Sequence, residues 1–200
     1  MEHLRYYIIS LFIVLIDQIS KLMVHLNMRL GEEINVIGDW FRLHYVLNPG
    51  IAFGIELDFE YGKLLLTGFR ILAACGIAFY IYYLSQRNAH RMLLLSLSLI
   101  LAGATGNVID STFYGVILDN APLNALSPWF HGQVIDMLYF PLVDGTFPDW
   151  LPVWGSQSFQ FFRPVFNFAD ASIFIGVTFI LILQKRFAVS ESSSQGGALA

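Results

Sequence analysis

The stretch Gln133–Asp170, QVIDMLYFPLVDGTFPDWLPVWGSQSFQFFRPVFNFAD, decides how the chain is organised. It opens on Val134-Ile135-Asp136, passes through a run rich in aromatics, proline and glycine, and closes on Phe166-Asn167-Phe168-Ala169-Asp170 at the mouth of an apolar run. Each end therefore carries a carboxylate where membrane-grade hydrophobic sequence meets polar sequence. Acids so placed are costly and by default functional or turned into a helix bundle.

Working outward, the apolar run that begins near Pro164 continues to Leu183 and is closed by Lys185 and Arg186, giving a span over about 165–184. Upstream lie three more, over about 6–28, 64–84 and 92–110, each long enough to cross a hydrocarbon core of roughly 30 Å. In the first, Asp17 and Lys21 are four apart, share a helix face and can neutralise each other. Arg70, near the start of the second, can snorkel to the interface or reach inward. The predicted fold is an all-α membrane protein, a four-transmembrane-helix bundle. A small extracytoplasmic β-rich insert (about 29–62) joins helices 1 and 2, and an extracytoplasmic segment (about 111–163) joins helices 3 and 4. In the first insert, Asn35 to Val46 alternates around a turn as a hairpin does, and the glycines of Asn48-Pro49-Gly50-Ile51-Ala52-Phe53-Gly54 allow positive φ or close backbone approach. Residues 1–188 form one domain. The Ser/Gly-rich tail, 189–200, has no periodicity and is expected to be disordered.

Composition agrees. The 200 residues are 56% hydrophobic and 13% charged, with a mean hydropathy of +0.61, against roughly 25% charged in a soluble domain. The net charge of -4 is spread out, so no basic face invites nucleic acid. The single cysteine, Cys75, excludes an intrachain disulfide and a CxxC pair and reads as a small buried hydrophobe. Four spans put both termini on one side, with Arg5, Arg87, Arg91, Lys185 and Arg186, which the positive-inside rule makes cytoplasmic. Trp129, Tyr139, Trp150 and Trp154 then suit an outer interfacial belt, and Asp110, Asp136 and Asp170 belong near that interface.

Span three ends in Gly103-Ala104-Thr105-Gly106-Asn107-Val108-Ile109-Asp110, whose small residues admit a close helix neighbour. Asn107 and Asp110 are three apart, as are Asn167 and Asp170, so antiparallel helices bring two Asn/Asp pairs to one depth. Asp136 can fold back to join them. Two carboxylates in a low-dielectric site cannot both ionise easily, so one holds a proton while the other stays charged. Such a pair can activate water against an amide, with no covalent nucleophile. A serine mechanism through Ser111 or Thr112 wants a histidine or lysine base, and His131, the nearby histidine, reads as an exposed loop residue. No HExxH or Cys/His cluster suggests a metal. Spacing alone leaves three readings open: a catalytic pair, polar helix-packing groups, or a proton or cation path.

Five ordered motifs go further: Asp17-Gln18-Ile19-Ser20-Lys21, Asn48 to Gly54, Gly106-Asn107-Val108-Ile109-Asp110, Val134-Ile135-Asp136, and Phe166-Asn167-Phe168-Ala169-Asp170. With these, residues 6 to 186 resemble the lipoprotein signal peptidases, the type II signal peptidases of bacteria. The resemblance implies a metal-independent aspartyl endopeptidase of the cytoplasmic (inner) membrane, without cofactor. Its substrate would be a diacylglyceryl-modified prolipoprotein, cut on the amino side of the lipidated cysteine near the outer leaflet surface; membrane lipid is the other partner, and a monomer is expected. It also implies the dyad Asp136 and Asp170, where helical symmetry alone favours Asp110 with Asp170. Asn107, Asp110 and Asn167 become supporting residues, Asn48 and Gly50 line the peptide site, and Asp17 with Lys21 help hold it. Two departures stand out. The family motif continues Gly-Asn-x-x-Asp-Arg, but Ser111 stands here, so whatever that arginine does for substrate comes from elsewhere, with Arg70 and Arg163 as candidates, or is absent. Asn120–Phe130 is an apparent insertion, either a lid or a longer loop.

Overall fold

The computed structural model describes residues 2–50, 61–141, 143–153, 155–161 and 164–196, with side chains described outside 2, 143–144, 158–161 and 185–196. Ile51–Gly54, Trp154 and Arg163 lie outside the described residues. By contacts the chain divides into two units, Met1–Ser20, Asn48–Val134 and Phe168–Ala200 in the first, Lys21–Leu47 and Ile135–Asn167 in the second.

The first unit is helical. α1 (Glu2–Asn27), α2 (Gly62–Gln86) and α3 (Arg91–Ile109) follow the predicted apolar runs. One wide π-type turn, Asp110–Tyr114, carries α3 into the short α4 (Gly115–Ile117). α5 (Phe168–Gly196) completes the set. Hydrocarbon offers backbone groups no partner, so apolar runs of this length satisfy themselves as helices. Three of the described helices, those running through His3–Asn27, Gly62–Gln86 and Arg91–Ile117, are long and apolar enough to cross a membrane; Phe168–Gln184 is a shorter apolar helix. The turn from α2 to α3 is tight because Asn88 takes φ 51° and His90 Nδ1 accepts from the Met92 amide at 3.2 Å, capping α3.

Tyr6, Ile81, Leu84, Leu94, Leu97 and Leu101 form the apolar core where α1, α2 and α3 meet. Around it small polar groups face inward: Ser10 Oγ donates to the Ser98 carbonyl at 2.8 Å, Tyr7 to the Ala78 carbonyl at 2.7 Å, and Ser172 to the Leu99 carbonyl. Phe12, Phe69, Leu72, Phe79 and Phe174 stay exposed. Polar inside and apolar outside is the arrangement a lipid solvent selects, since lipid tails are as apolar as the core.

The second unit is built on a four-stranded sheet of order β1-β2-β3-β6. β1 (Glu33–Ile37) and β2 (Phe41–Asn48) form the predicted hairpin, with Glu33 opposite His44. β3 (Val134–Tyr139) pairs antiparallel with β6 (Val165–Phe166), Leu138 opposite Phe166. β4 (Val143–Thr146) and β5 (Ser158–Phe161) make a separate two-stranded ribbon. Phe140 stacks between Phe41 and Phe166, at centroid distances of 4.8 and 5.8 Å.

Several expectations need correcting. The all-α description understates the strands, because β3 and β6 of the second insert complete the sheet begun by the first. The last helix starts at Phe168, after β6, and its backbone runs to Gly196, beyond the expected onset of disorder at 189. Cys75 is exposed on α2 rather than buried. Tyr139, assigned to an interfacial belt, is buried in β3, where its ring meets the edge of His44.

Candidate active site

Asp136 sits in the middle of β3, a strand buried at every position. Its side chain is 3% exposed and Asn167 is wholly buried. Asn167 Nδ2 donates to Asp136 Oδ1 at 2.7 Å and reaches the Ile135 carbonyl at 3.3 Å. One amide thus fixes both the strand and the carboxylate it carries. β6 ends at Phe166, so the antiparallel pairing with β3 delivers Asn167 to this position.

Asp170 lies in the first turn of α5 and is only partly buried. Asn107 Nδ2, from the last turns of α3, donates to Asp170 Oδ1 at 2.8 Å. The two helices come close because α3 carries glycine where they meet. A Cβ on Gly103 would run into the Ala169 carbonyl, and one on Gly106 would lie 2.6 Å from Asp17 Oδ2 and 3.2 Å from the Ala169 Cβ. The small-residue stretch of span three therefore has the role expected of it.

Asp17, wholly buried, accepts from the Ala169 amide through Oδ1 at 2.9 Å. The first amides of a helix have no intrahelical acceptor, so α1 caps α5, and a carboxylate there also suits the helix dipole. Lys21 is buried four residues on in α1. Asp110, also wholly buried, accepts from Gln18 Nε2 at 2.8 Å. That amide also approaches Asp17 Oδ2 at 3.1 Å and the Gly106 carbonyl at 3.3 Å, while Gln18 Oε1 accepts from Tyr114 at 2.9 Å. Gln18 and Tyr114 were not singled out from sequence. Gln18 had a signal, an amide beside an acid inside a span; Tyr114 had none, because the wide turn that aims it has no sequence mark.

Asn48 and Gly50 close the strand β2. Asn48 Oδ1 accepts from the Gly50 amide at 2.8 Å, and Gly50 has φ 101°, a conformation that favours glycine. A Cβ there would meet Leu66 Cδ2 at 2.8 Å, Lys63 Nζ at 3.3 Å and an Arg70 nitrogen at 3.4 Å. Lys63 donates to the Pro49 carbonyl at 2.7 Å. Arg70 donates to Ser111 Oγ at 2.9 Å. Arg70 thus reaches inward rather than snorkelling, and its guanidinium arrives at the position next to Asp110 where the related motif has arginine. Lys63 was missed, since a cation at the start of an apolar run reads as an interfacial anchor. His131, expected to be exposed, is 5% exposed, with Nδ1 2.9 Å from the Trp129 carbonyl.

The insertion Asn120–Phe130 is a closed loop. Asn120 and Gln133 exchange three hydrogen bonds of 2.9 to 3.1 Å across its neck. The Phe130 and Gly132 amides donate to the Thr112 and Ser111 carbonyls, and Thr67 donates to the Phe130 carbonyl.

Against this geometry stand the known proteins. Residues 9–186 match the family model described as Signal peptidase (SPase) II. A lipoprotein signal peptidase of Amoebophilus asiaticus (strain 5a2) is 50% identical over 190 residues, covering 94% of this chain and 80% of that protein. One from Porphyromonas gingivalis (strain ATCC 33277) is 46% identical over 184 residues, covering 87% and 80%. A solved structure described as a bacterial membrane enzyme shares the fold, with a TM-score of 0.60 at 23% identity over 91% of this chain and 88% of its own. A second, at 24% identity over 90% and 92%, gives 0.59. The family match over nearly the whole length and the close relatives together place this chain in the signal peptidase II family.

Proposed function

We propose that this protein removes the signal peptide from diacylglyceryl-modified prolipoproteins as a membrane-embedded aspartyl endopeptidase, with Asp136 and Asp170 as its two catalytic carboxylates. The observation that carries the reading is that each of these acids is held by an asparagine amide, Asn167 on Asp136 and Asn107 on Asp170. Two positioned carboxyl groups can activate a nucleophile that is not part of the protein, water. The ionised carboxylate takes a proton from water as its oxygen attacks the scissile carbonyl, and the protonated partner donates to the carbonyl oxygen. Collapse of the tetrahedral intermediate breaks the C–N bond, with a proton delivered to the departing nitrogen of the lipidated cysteine. The products are a signal peptide with a new carboxylate and a lipoprotein with a free amino terminus. The acids themselves perform every proton transfer, so no metal or cofactor enters.

Asp110, Asp17, Lys21 and Gln18 act as supports, Asn48 and Gly50 line the peptide path, and Arg70 supplies the guanidinium beside Ser111. The enzyme has four spans in a bacterial cytoplasmic membrane, works as a monomer, keeps both termini in the cytoplasm, and cuts near the outer leaflet surface. That depth suits a substrate whose acyl chains lie in the outer leaflet.

The test is cleavage of a diacylglyceryl-modified prolipoprotein peptide by wild type, Asp136→Asn and Asp170→Asn. Both variants should fold, with unfolding temperatures near wild type, and process no substrate. Near-normal cleavage by either would overturn the dyad.

A further inference from the structure

The loop that leaves α4 and returns to β3 carries no Asp, Glu, Lys or Arg from Asn120 to Gln133. It is not a loose excursion. Its neck is closed by the Asn120–Gln133 bonds, and its return limb is bonded to Ser111, Thr112 and Thr67. Gly115 lets the Pro128 carbonyl approach, and Gly132 lets the Asp110 carbonyl approach; a Cβ at either would run into that oxygen.

A loop fixed this firmly could have tucked its apolar side chains inward. Instead Leu123 is fully exposed, and Leu126 and Trp129 are about half exposed. Ile117, which ends α4, is exposed as well, and Phe113 and Trp129 meet edge to face at 5.9 Å. A water-facing loop normally carries charge and turn-forming polar groups, whereas an indole beside leucines suits headgroup depth. The continuous apolar helix Arg91–Ile117 has 27 residues, about 40 Å at 1.5 Å per residue, against a hydrocarbon core of roughly 30 Å. The helix is therefore about 10 Å longer than the core, and Phe113, Val116 and Ile117 at the end from which the loop departs are exposed.

We propose that residues 120–133 form an interfacial anchor whose occupant is phospholipid. Leu123, Leu126 and Trp129 enter the boundary between headgroups and acyl chains and set the depth of the Asp110–Thr112 turn to which the loop is bonded. The inference rests on the membrane reading above, and the experiment separates the two.

Spin labels are placed at Leu123→Cys and Leu126→Cys in a Cys75→Ala chain, and at native Cys75 in the parent, all in phosphatidylcholine nanodiscs. Accessibility to oxygen, which concentrates in lipid, is compared with accessibility to a water-soluble nickel chelate. The expected result is oxygen exceeding nickel at 123 and 126, at a shallower depth than at 75. Nickel exceeding oxygen at 123 and 126 beside a lipid-exposed Cys75 overturns the anchor alone. Shielding of both labels from both reagents overturns it too, in favour of a protein surface. A nickel-accessible Cys75 overturns the membrane reading and the anchor with it.

Discussion

Asn107 and Asn167 are the residues on which the proposed chemistry turns. Each spends an amide on one carboxylate oxygen, and a buried acceptor left without its donor costs roughly 1–3 kcal/mol. If that geometry is needed most in the transition state, Asn107→Ala and Asn167→Ala should each lower kcat by about 5- to 150-fold with KM little changed. Steady-state kinetics on a lipopeptide substrate decide it, and a rise in KM at constant kcat would move the asparagines into substrate binding. The dyad also predicts a bell-shaped pH dependence of kcat/KM: at low pH both acids are protonated and no base remains, and at high pH both are ionised and no acid remains. Gly50 gives a third residue-scale prediction. Gly50→Ala strains a φ of 101° and pushes a methyl toward Leu66, Lys63 and Arg70. Strain of this kind costs about 1–3 kcal/mol, so thermal unfolding should shift down and KM should rise. At this scale the sequence was legible where local chemistry fixes the residue, as in the positive φ that the glycines after Asn48 allow and that Gly50 adopts. Cys75, His131 and Arg70 were not, because whether a side chain is covered, and what covers it, depends on elements far away in sequence.

The α3–α5 seam is the element that carries most of the site, since it brings Asn107 to Asp170 and, through α1, Asp17 to the start of α5. Gly103→Val should force these helices apart, as a Cβ there would run into the Ala169 carbonyl and lie 2.6 Å from Ile173 Cγ1. Overpacking of this kind typically costs about 1–3 kcal/mol, so the unfolding temperature in detergent should fall and activity with it. Asp17→Asn, which keeps an oxygen acceptor for the Ala169 amide, should cost less stability than Asp17→Ala; equal losses would deny the capping role. Helices of this kind are readable because a lipid solvent demands long uninterrupted apolar runs. β3 was not read as a strand for the opposite reason: all six of its residues are buried, so the period-2 alternation that marks a half-buried strand is missing. Its pairing with β6 joins Tyr139 to Val165 and Leu138 to Phe166, residues 26 and 28 positions apart, and no local pattern records it. The wide turn at Asp110–Tyr114 was hidden likewise, because a π-type turn uses the same residues as the helix it interrupts.

For the molecule as a whole, the controlling fact is that its solvent has two phases, and the charges sort between them. Arg5, Arg87, His90 and Arg91 gather where α1 begins and α2 turns into α3, while Glu32, Glu33 and Asp39 lie in and beside the β1–β2 hairpin. Positive charge near span ends is retained on the cytoplasmic side. The proposed orientation therefore makes Asn88, exposed in the α2–α3 turn, a cytoplasmic position, and Asp39, exposed at the hairpin tip, an external one. In a Cys75→Ala chain, Asn88→Cys should resist a membrane-impermeant maleimide in intact cells and react after permeabilisation. Asp39→Cys should react in both. The reverse pattern would invert the enzyme, and labelling of both in intact cells would contradict a single crossing, by α2, between hairpin and turn. Inversion would also place the hairpin, and the proposed peptide site at Asn48, on the side opposite to the outer leaflet in which the proposed substrate carries its acyl chains, so the labelling experiment tests the topology and the proposed substrate together.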